Sequence, residues 1–244
     1  MKEQLYTIPV NDAFAVDCEC PVCSMYASLE REAIEFTMGP SYMEDDIRME
    51  TNRIGFCSNH VKQLYKHKNR LGLALMLHTH MQRTNEDLEK LLSSGTPAPA
   101  KKGLFSKKTD ETSPVASYIE NLNTSCYICN RVEAIFKRYL VTIFHCYEHD
   151  GEFRTKFSSS KGFCTKHFGM LYDMAPSQLS AKHLEAFIQT LSQVYLTNMK
   201  RVTDDLEWFT DKFDYRNENA PWKNAKDALP RSMTKTNSIP VEEC

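Results

Sequence analysis

Along most of this chain apolar residues return at three- and four-residue intervals, the period of a helix with one buried face. After Cys23 the stripe runs through Met25, Tyr26, Leu29, Ala33 and Phe36. After Cys129 it runs through Val132, Ile135, Phe136, Tyr139, Leu140 and Ile143. A third stripe holds Val61, Leu64, Leu71 and Leu75. The longest follows an interruption at Pro176 and carries Leu184, Phe187, Leu191, Val194, Asn198, Val202, Leu206, Phe209 and Phe213. Ser41 to Thr51 reads as a short helix capped by Ser41, with Glu44, Asp45 and Asp46 in its early turns. Asp150 to Phe163 reads as irregular chain. Asn219 followed by Pro221 resembles a capped helix start, and Ser232 to Cys244 reads as a loose tail.

Only 8 glycines and 10 prolines punctuate 244 residues, which favours helix over a turn-rich β fold. The expected fold class is therefore all-α, with one long C-terminal helix. A hydrophobic content of 41% supplies a core, while a mean hydropathy of -0.49 implies extensive wetted surface. The formal net charge of -2 provides no global field to attract nucleic acid or an anionic membrane. Met1 to Asn11 holds no apolar signal core, and no apolar run is long enough to span a bilayer, so a cytoplasmic location is expected. In a reducing compartment nine cysteines point to metal before disulfides.

The cysteines fall into a repeat. Cys20-Pro21-Val22-Cys23 is answered by Cys126-Tyr127-Ile128-Cys129, and Gly55-Phe56-Cys57-Ser58-Asn59-His60 by Gly162-Phe163-Cys164-Thr165-Lys166-His167. Cys57 follows Cys23 by 34 positions and Cys164 follows Cys129 by 35. Leu64-Tyr65 and Leu171-Tyr172 keep the same offset from their histidines, and Met81, Arg83, Asp87, Leu88 and Glu89 are echoed by Met199, Arg201, Asp205, Leu206 and Glu207. The expected organisation is a helical unit at 1–92, a basic linker at 93–114 with Lys101, Lys102, Lys107 and Lys108, a second unit at 115–216, and a short helix with a tail at 217–244.

Zinc takes four tetrahedral ligands, and Cys3His is one of its structural sets. A CxxC turn aims two sulfurs at one point, and a CxxH on a first helical turn puts both side chains on one face. Each copy is thus expected to close one zinc site: Cys20, Cys23, Cys57 and His60 in the first, Cys126, Cys129, Cys164 and His167 in the second. This pairing requires the chain to travel about 30 Å along a twenty-residue helix and then return. Packing of buried cysteines does not explain why histidine recurs with them. A redox dithiol needs no third cysteine, and iron–sulfur clusters usually take four. Cys18 lies beside the first site and could compete as a ligand but has no counterpart in the second copy. The Cys146/His149 pair has no repeat partner and reads as incidental, His78 and His80 read as core or boundary histidines in an apolar run, Cys244 as an exposed thiol, and Trp208 and Trp222 as packing residues. No catalytic constellation stands out.

The duplicated motifs, together with Leu71-Gly72-Leu73-Ala74-Leu75-Met76, resemble an uncharacterised bacterial family, a domain of unknown function whose members often carry the label of an ABC transporter substrate-binding protein. The resemblance spans nearly the whole chain and implies no established activity. The leading expectation is a non-catalytic, zinc-stapled helical adaptor with two zinc ions and a protein partner. The alternatives are a thiol-based redox or metal sensor and, more weakly, a transporter-associated solute-binding component.

Overall fold

A computed structural model describes residues 6–93, 95 and 112–239. The described chain is all-α, with eleven helices and no strand among those residues. Lys101, Lys102, Lys107, Lys108 and Cys244 lie outside them.

The compact units do not follow the two sequence copies. One unit comprises 1–29 with 134–244, the other 30–133. Both halves of the expected linker's flanks, α5 (Arg70–Ser93) and α6 (Pro114–Thr124), belong to the second unit and pack together, with Tyr118 donating to Asp87 at 3.3 Å. Two helices run across the division: α2 (Pro21–Met38) starts in the first unit and ends in the second, and α7 (Tyr127–His149) does the reverse.

The first unit is built on an aromatic core. Phe14 of α1 (Thr7–Ala15) meets Phe153 at 4.9 Å and Phe157 at 5.7 Å between ring centroids. Phe157 also packs against Tyr147 at 5.3 Å, Phe163 at 5.2 Å and Phe187 at 5.3 Å, and all of these rings are buried. Phe153 and Phe157 come from the segment for which the sequence predicts irregular chain. It is α8 (Gly151–Ser159), started by the Asp150 carboxylate, which accepts the backbone N–H groups of Glu152 and Phe153. Next come α9 (Thr165–Gln178), which ends two residues past Pro176, and the 31-residue α10 (Ala181–Asp211).

Beyond α10 the expected helix at Asn219 does not form. The Lys212 ammonium instead captures the carbonyls of Asn217, Glu218 and Ala220, and Trp208 donates to the Pro221 carbonyl. Lys223 has a φ of 52°, outside the right-handed helical range, and the next helix begins only at Ala228. This α11 (Ala228–Asn237) occupies much of the expected tail and packs on α10 and α9.

The second unit has a thinner, aliphatic core. Leu64 of α4 (Ser58–Lys66) and Met76 of α5 are fully buried, with Met38, Ile54 and Leu73 close to it. Between α2 and α4 lie a short 3-10 turn at Pro40–Met43 and α3 (Asp45–Ile54). Glu44, not Ser41, occupies the N-cap position of α3, because the 3-10 turn uses up Pro40 to Met43 first. No helix among the described residues is long and apolar enough to cross a membrane.

Because Phe157 joins five other rings, those of Phe14, Tyr147, Phe153, Phe163 and Phe187, Phe157→Ala should destabilise the first unit by about 3–5 kcal/mol. Chemical denaturation followed by near-UV circular dichroism checks this. A loss below 1 kcal/mol would contradict the packing described.

Candidate metal centres

Every one of the eight repeat residues sits at a helix N-terminus. Cys20, Cys57, Cys126 and Cys164 directly precede α2, α4, α7 and α9, and their carbonyls accept the first helical N–H bonds, from Ser24, Val61, Asn130 and Phe168. Cys23, His60, Cys129 and His167 lie three positions further, on the same face. In three of the four turns the leading sulfur accepts the N–H of the following ligand: Cys20 from Cys23 at 3.4 Å, Cys126 from Cys129 at 3.5 Å and Cys164 from His167 at 3.4 Å. Each is a side-chain N-cap with sulfur in the role usually taken by a serine hydroxyl.

Glycine makes the approach to each CxxH turn. Gly55 and Gly162 have φ of 68° and 84°, where side-chain-bearing residues are strained. A Cβ on Gly55 would also lie 2.5 Å from the His80 ring, and one on Gly162 3.1 Å from the Val194 carbonyl.

The clusters pair the copies crosswise. Cys20, Cys23, Cys164 and His167 form one, entirely within the first unit, and Cys57, His60, Cys126 and Cys129 form the other, within the second. The expected grouping, CxxC with the CxxH of its own copy, is corrected. The physical reason is the length of α2 and α7. At 1.5 Å per residue their 18 and 23 residues carry the chain about 27 and 34 Å from the turn where they start. Neither chain returns; the CxxH that follows each helix completes the other copy's CxxC.

In each cluster the four donor atoms lie within 4.8 Å of one another. Cys23 and Cys164 sulfurs are 3.6 Å apart, and Cys57 and Cys129 sulfurs 4.0 Å. His167 Nδ1 lies 3.1 to 3.5 Å from the sulfurs of Cys164, Cys23 and Cys20. His60 Nδ1 lies 3.2 to 3.3 Å from those of Cys57, Cys126 and Cys129. Tetrahedral metal–ligand bonds of 2.0 to 2.3 Å place sulfurs about 3.8 Å apart and sulfur and nitrogen about 3.6 Å apart, so both donor sets fit a four-coordinate ion. Cys18, Cys146 and His149 belong to neither cluster.

The thiols repeat one electrostatic pattern: one sulfur in each cluster takes the negative charge. Hydrogen bonds from the Cys20 and Cys23 thiols outweigh burial and hold Cys164 far below the usual thiol range, while burial pushes Cys20 up to about 12. Burial raises Cys126, but the His60 ring and the N–H groups of Cys129 and Cys57 more than offset it and bring it to about 6. Burial also pushes Cys129 up to about 12. A cation that displaces the remaining protons relieves the conflict in both clusters.

The surroundings differ. In the second unit the Tyr127 N–H donates to the Gly55 carbonyl at 2.9 Å and the Ser125 hydroxyl to the Ile54 carbonyl at 2.7 Å, tying the two ligand turns together. The equivalent of Tyr127 in the first unit is Pro21, which has no N–H. There the buried Lys235 ammonium does the tying, donating to the Glu19 and Lys161 carbonyls that flank the two turns. Lys235 also pairs with the Glu19 carboxylate at 3.2 Å, which Arg201 holds at 2.6 and 2.8 Å. The histidines are supported differently as well. His60 Nε2 meets Glu30 at 2.8 Å, a bond that holds the Glu30 carboxyl below its usual range, whereas His167 packs against the Phe136 ring at 5.7 Å. Sequence reasoning missed Glu19, Glu30, Arg201 and Lys235. The signal for Glu30 was present, since it follows Cys23 by the same seven residues that separate Phe136 from Cys129.

A family model matches residues 1–243, so the match takes in both clusters and every helix described. The chain belongs to the Family of unknown function (DUF6062). Membership in DUF6062 brings no activity with it. No curated protein and no solved structure matches the chain.

Two predictions follow from the geometry. In native mass spectrometry of purified chain, the double variant Cys23→Ala/Cys164→Ala should lose one metal ion and Cys23→Ala/Cys57→Ala should lose both; the reverse result would restore the pairing within each copy. Glu30→Gln should weaken metal affinity in the second unit by about 10–100-fold and leave the first unit's affinity unchanged, as read by chelator competition.

Proposed function

We propose that the chain is a non-catalytic scaffold in which two structural zinc ions staple helix N-termini, and that it serves as an adaptor for a protein partner. The observation that carries the zinc reading is the pair of four-donor clusters, each filled by three sulfurs and one imidazole nitrogen. That donor set is zinc's own structural preference, and a site whose four positions are protein side chains leaves no place for a reactive water. Binding of such an ion is worth on the order of 10–16 kcal/mol, enough to hold a unit whose core is thin.

The adaptor reading is supported by a groove of about 440 Å³ between α4 and α5. Its apolar lining is Val61, Tyr65, Leu73 and Leu77, and Lys62 and Lys66 stand at its edge. Lys68 and Arg70 are exposed nearby, and the Arg70 guanidinium stacks on Tyr65 at 3.7 Å. No acidic residue occurs between Val61 and Leu77. A concave apolar floor with a basic rim fits an amphipathic helix that buries leucine-like side chains and turns carboxylates toward the lysines. We place the protein in the cytoplasm, consistent with reduced cysteines serving as ligands.

The test uses a designed amphipathic helix with leucines on one face and glutamates on the other, titrated into zinc-loaded chain by calorimetry. Binding should weaken at least tenfold in Lys62→Glu/Lys66→Glu and with added salt. Equal affinity for a lysine version of the same peptide would overturn the adaptor surface.

A further inference from the structure

The two clusters have the same ligands but not the same access. All four donors of the first unit are buried, at 0 to 5% exposure. In addition, the Ser238 hydroxyl, just past α11, donates to the Cys164 sulfur at 3.1 Å, and Lys235 of α11 ties the ligand turns from the other side. In the second unit His60 and Cys126 are buried, but Cys57 and Cys129 are both partly open to solvent. Their sulfurs are 4.0 Å apart. Cys57 is also the only leading cysteine of the four whose sulfur accepts no backbone N–H from its own helix.

We propose that Cys57 and Cys129 form an oxidation site through which peroxide releases the metal of the second unit, while the first unit keeps its own. The proposal rests on the metal reading above and assigns regulation to one of its two sites. The chemistry balances with one molecule of hydrogen peroxide. One of the two thiolates attacks a peroxide oxygen, forming an S–O bond and breaking the O–O bond, and the departing hydroxide takes a proton to become water. The second thiolate then attacks the sulfenic sulfur, forming the S–S bond and expelling the oxygen as a second hydroxide, which is likewise protonated. Two sulfurs lose two electrons, peroxide gains them, and two waters result. The sulfurs must close from 4.0 Å to about 2.05 Å. A disulfide is a poor donor, so the ion is left with His60 and Cys126 alone and departs. The first unit resists because peroxide cannot reach its sulfurs without displacing α11.

The experiment follows full-length chain by native mass spectrometry through a hydrogen peroxide time course, with differential alkylation and peptide mapping at each point. The expected result is loss of one ion, a Cys57–Cys129 disulfide, and protected Cys20, Cys23 and Cys164, with the second ion leaving at least tenfold more slowly. Thiol reductant with added zinc should restore the lost ion. Cys164→Ala, left with only the second unit's ion, should still lose it to peroxide; Cys57→Ser, left with only the first unit's ion, should keep it. Simultaneous loss of both ions, earlier loss from the first unit, or oxidation without the Cys57–Cys129 link would overturn the proposal while the metal reading stands. A chain free of metal before any peroxide is added would overturn both.

Discussion

A tetrahedral ion accepts ligands only within about 4 Å of one another, and this chain meets that requirement with helix N-termini alone. Each cluster receives one residue preceding a helix and one residue three positions into it, from two helices distant in sequence. Cys23 and Cys164 stand 141 residues apart, Cys57 and Cys129 72. Four of the eleven helices therefore start where the two donor clusters converge, each CxxH turn preceded by a left-handed glycine. The positive ends of those helices face the sulfurs, so the backbone itself favours thiolate. A sulfur acting as N-cap satisfies a helix donor and keeps lone pairs that could bind an ion.

Around that shared frame the two units solve the same secondary problem with different groups. Replacing Tyr127 by its counterpart Pro21 removes one N–H, and the loss is made good by a lysine some two hundred residues away in sequence, Lys235. Burying an ammonium is expensive unless its charge is matched. With a divalent ion the first donor set would carry one negative charge, Glu19 adds another, and Arg201 and Lys235 would balance both. In the second unit the turns are tied instead by neutral backbone and hydroxyl donors, and the Glu30 carboxylate meets His60.

All eight donors and the helices that begin at them were legible in the sequence, because CxxC and CxxH at equal spacing leave little other explanation. Their partition was not. The order CxxC, CxxH, CxxC, CxxH is the same whichever way the sites are closed, and only the reach of α2 and α7 decides. The compact units follow the same logic and cut across the repeat. Helix α8 was hidden by its polar residues, although Asp150 followed by Phe153 and Phe157 is a cap before an i, i+4 apolar pair. Helix α11 was hidden by Ser232, Thr234, Lys235, Thr236 and Asn237, a polar run of which Thr234 and Lys235 are buried, and the burial of Lys235 makes sense only once the carbonyls awaiting it are known.

The cores around the two clusters are uneven. The first unit buries a ring cluster of Phe14, Phe144, Phe153, Phe157, Phe163 and Phe187, and Phe163 runs directly into Cys164, so the core positions its ligand turn independently of the ion. The second unit offers Phe56, half-buried, at the equivalent place, set against Tyr127 at 6.5 Å. Apolar burial at roughly 25 cal/mol per Å² therefore contributes less around the second cluster. The cluster with the more exposed cysteines thus belongs to the unit in which a bound ion would carry more of the stability. Losing an ion from a well-packed unit would change little beyond its ligands, whereas losing one from this unit loosens the turns at Gly55 and Cys126 and, through α4, the floor of the basic groove.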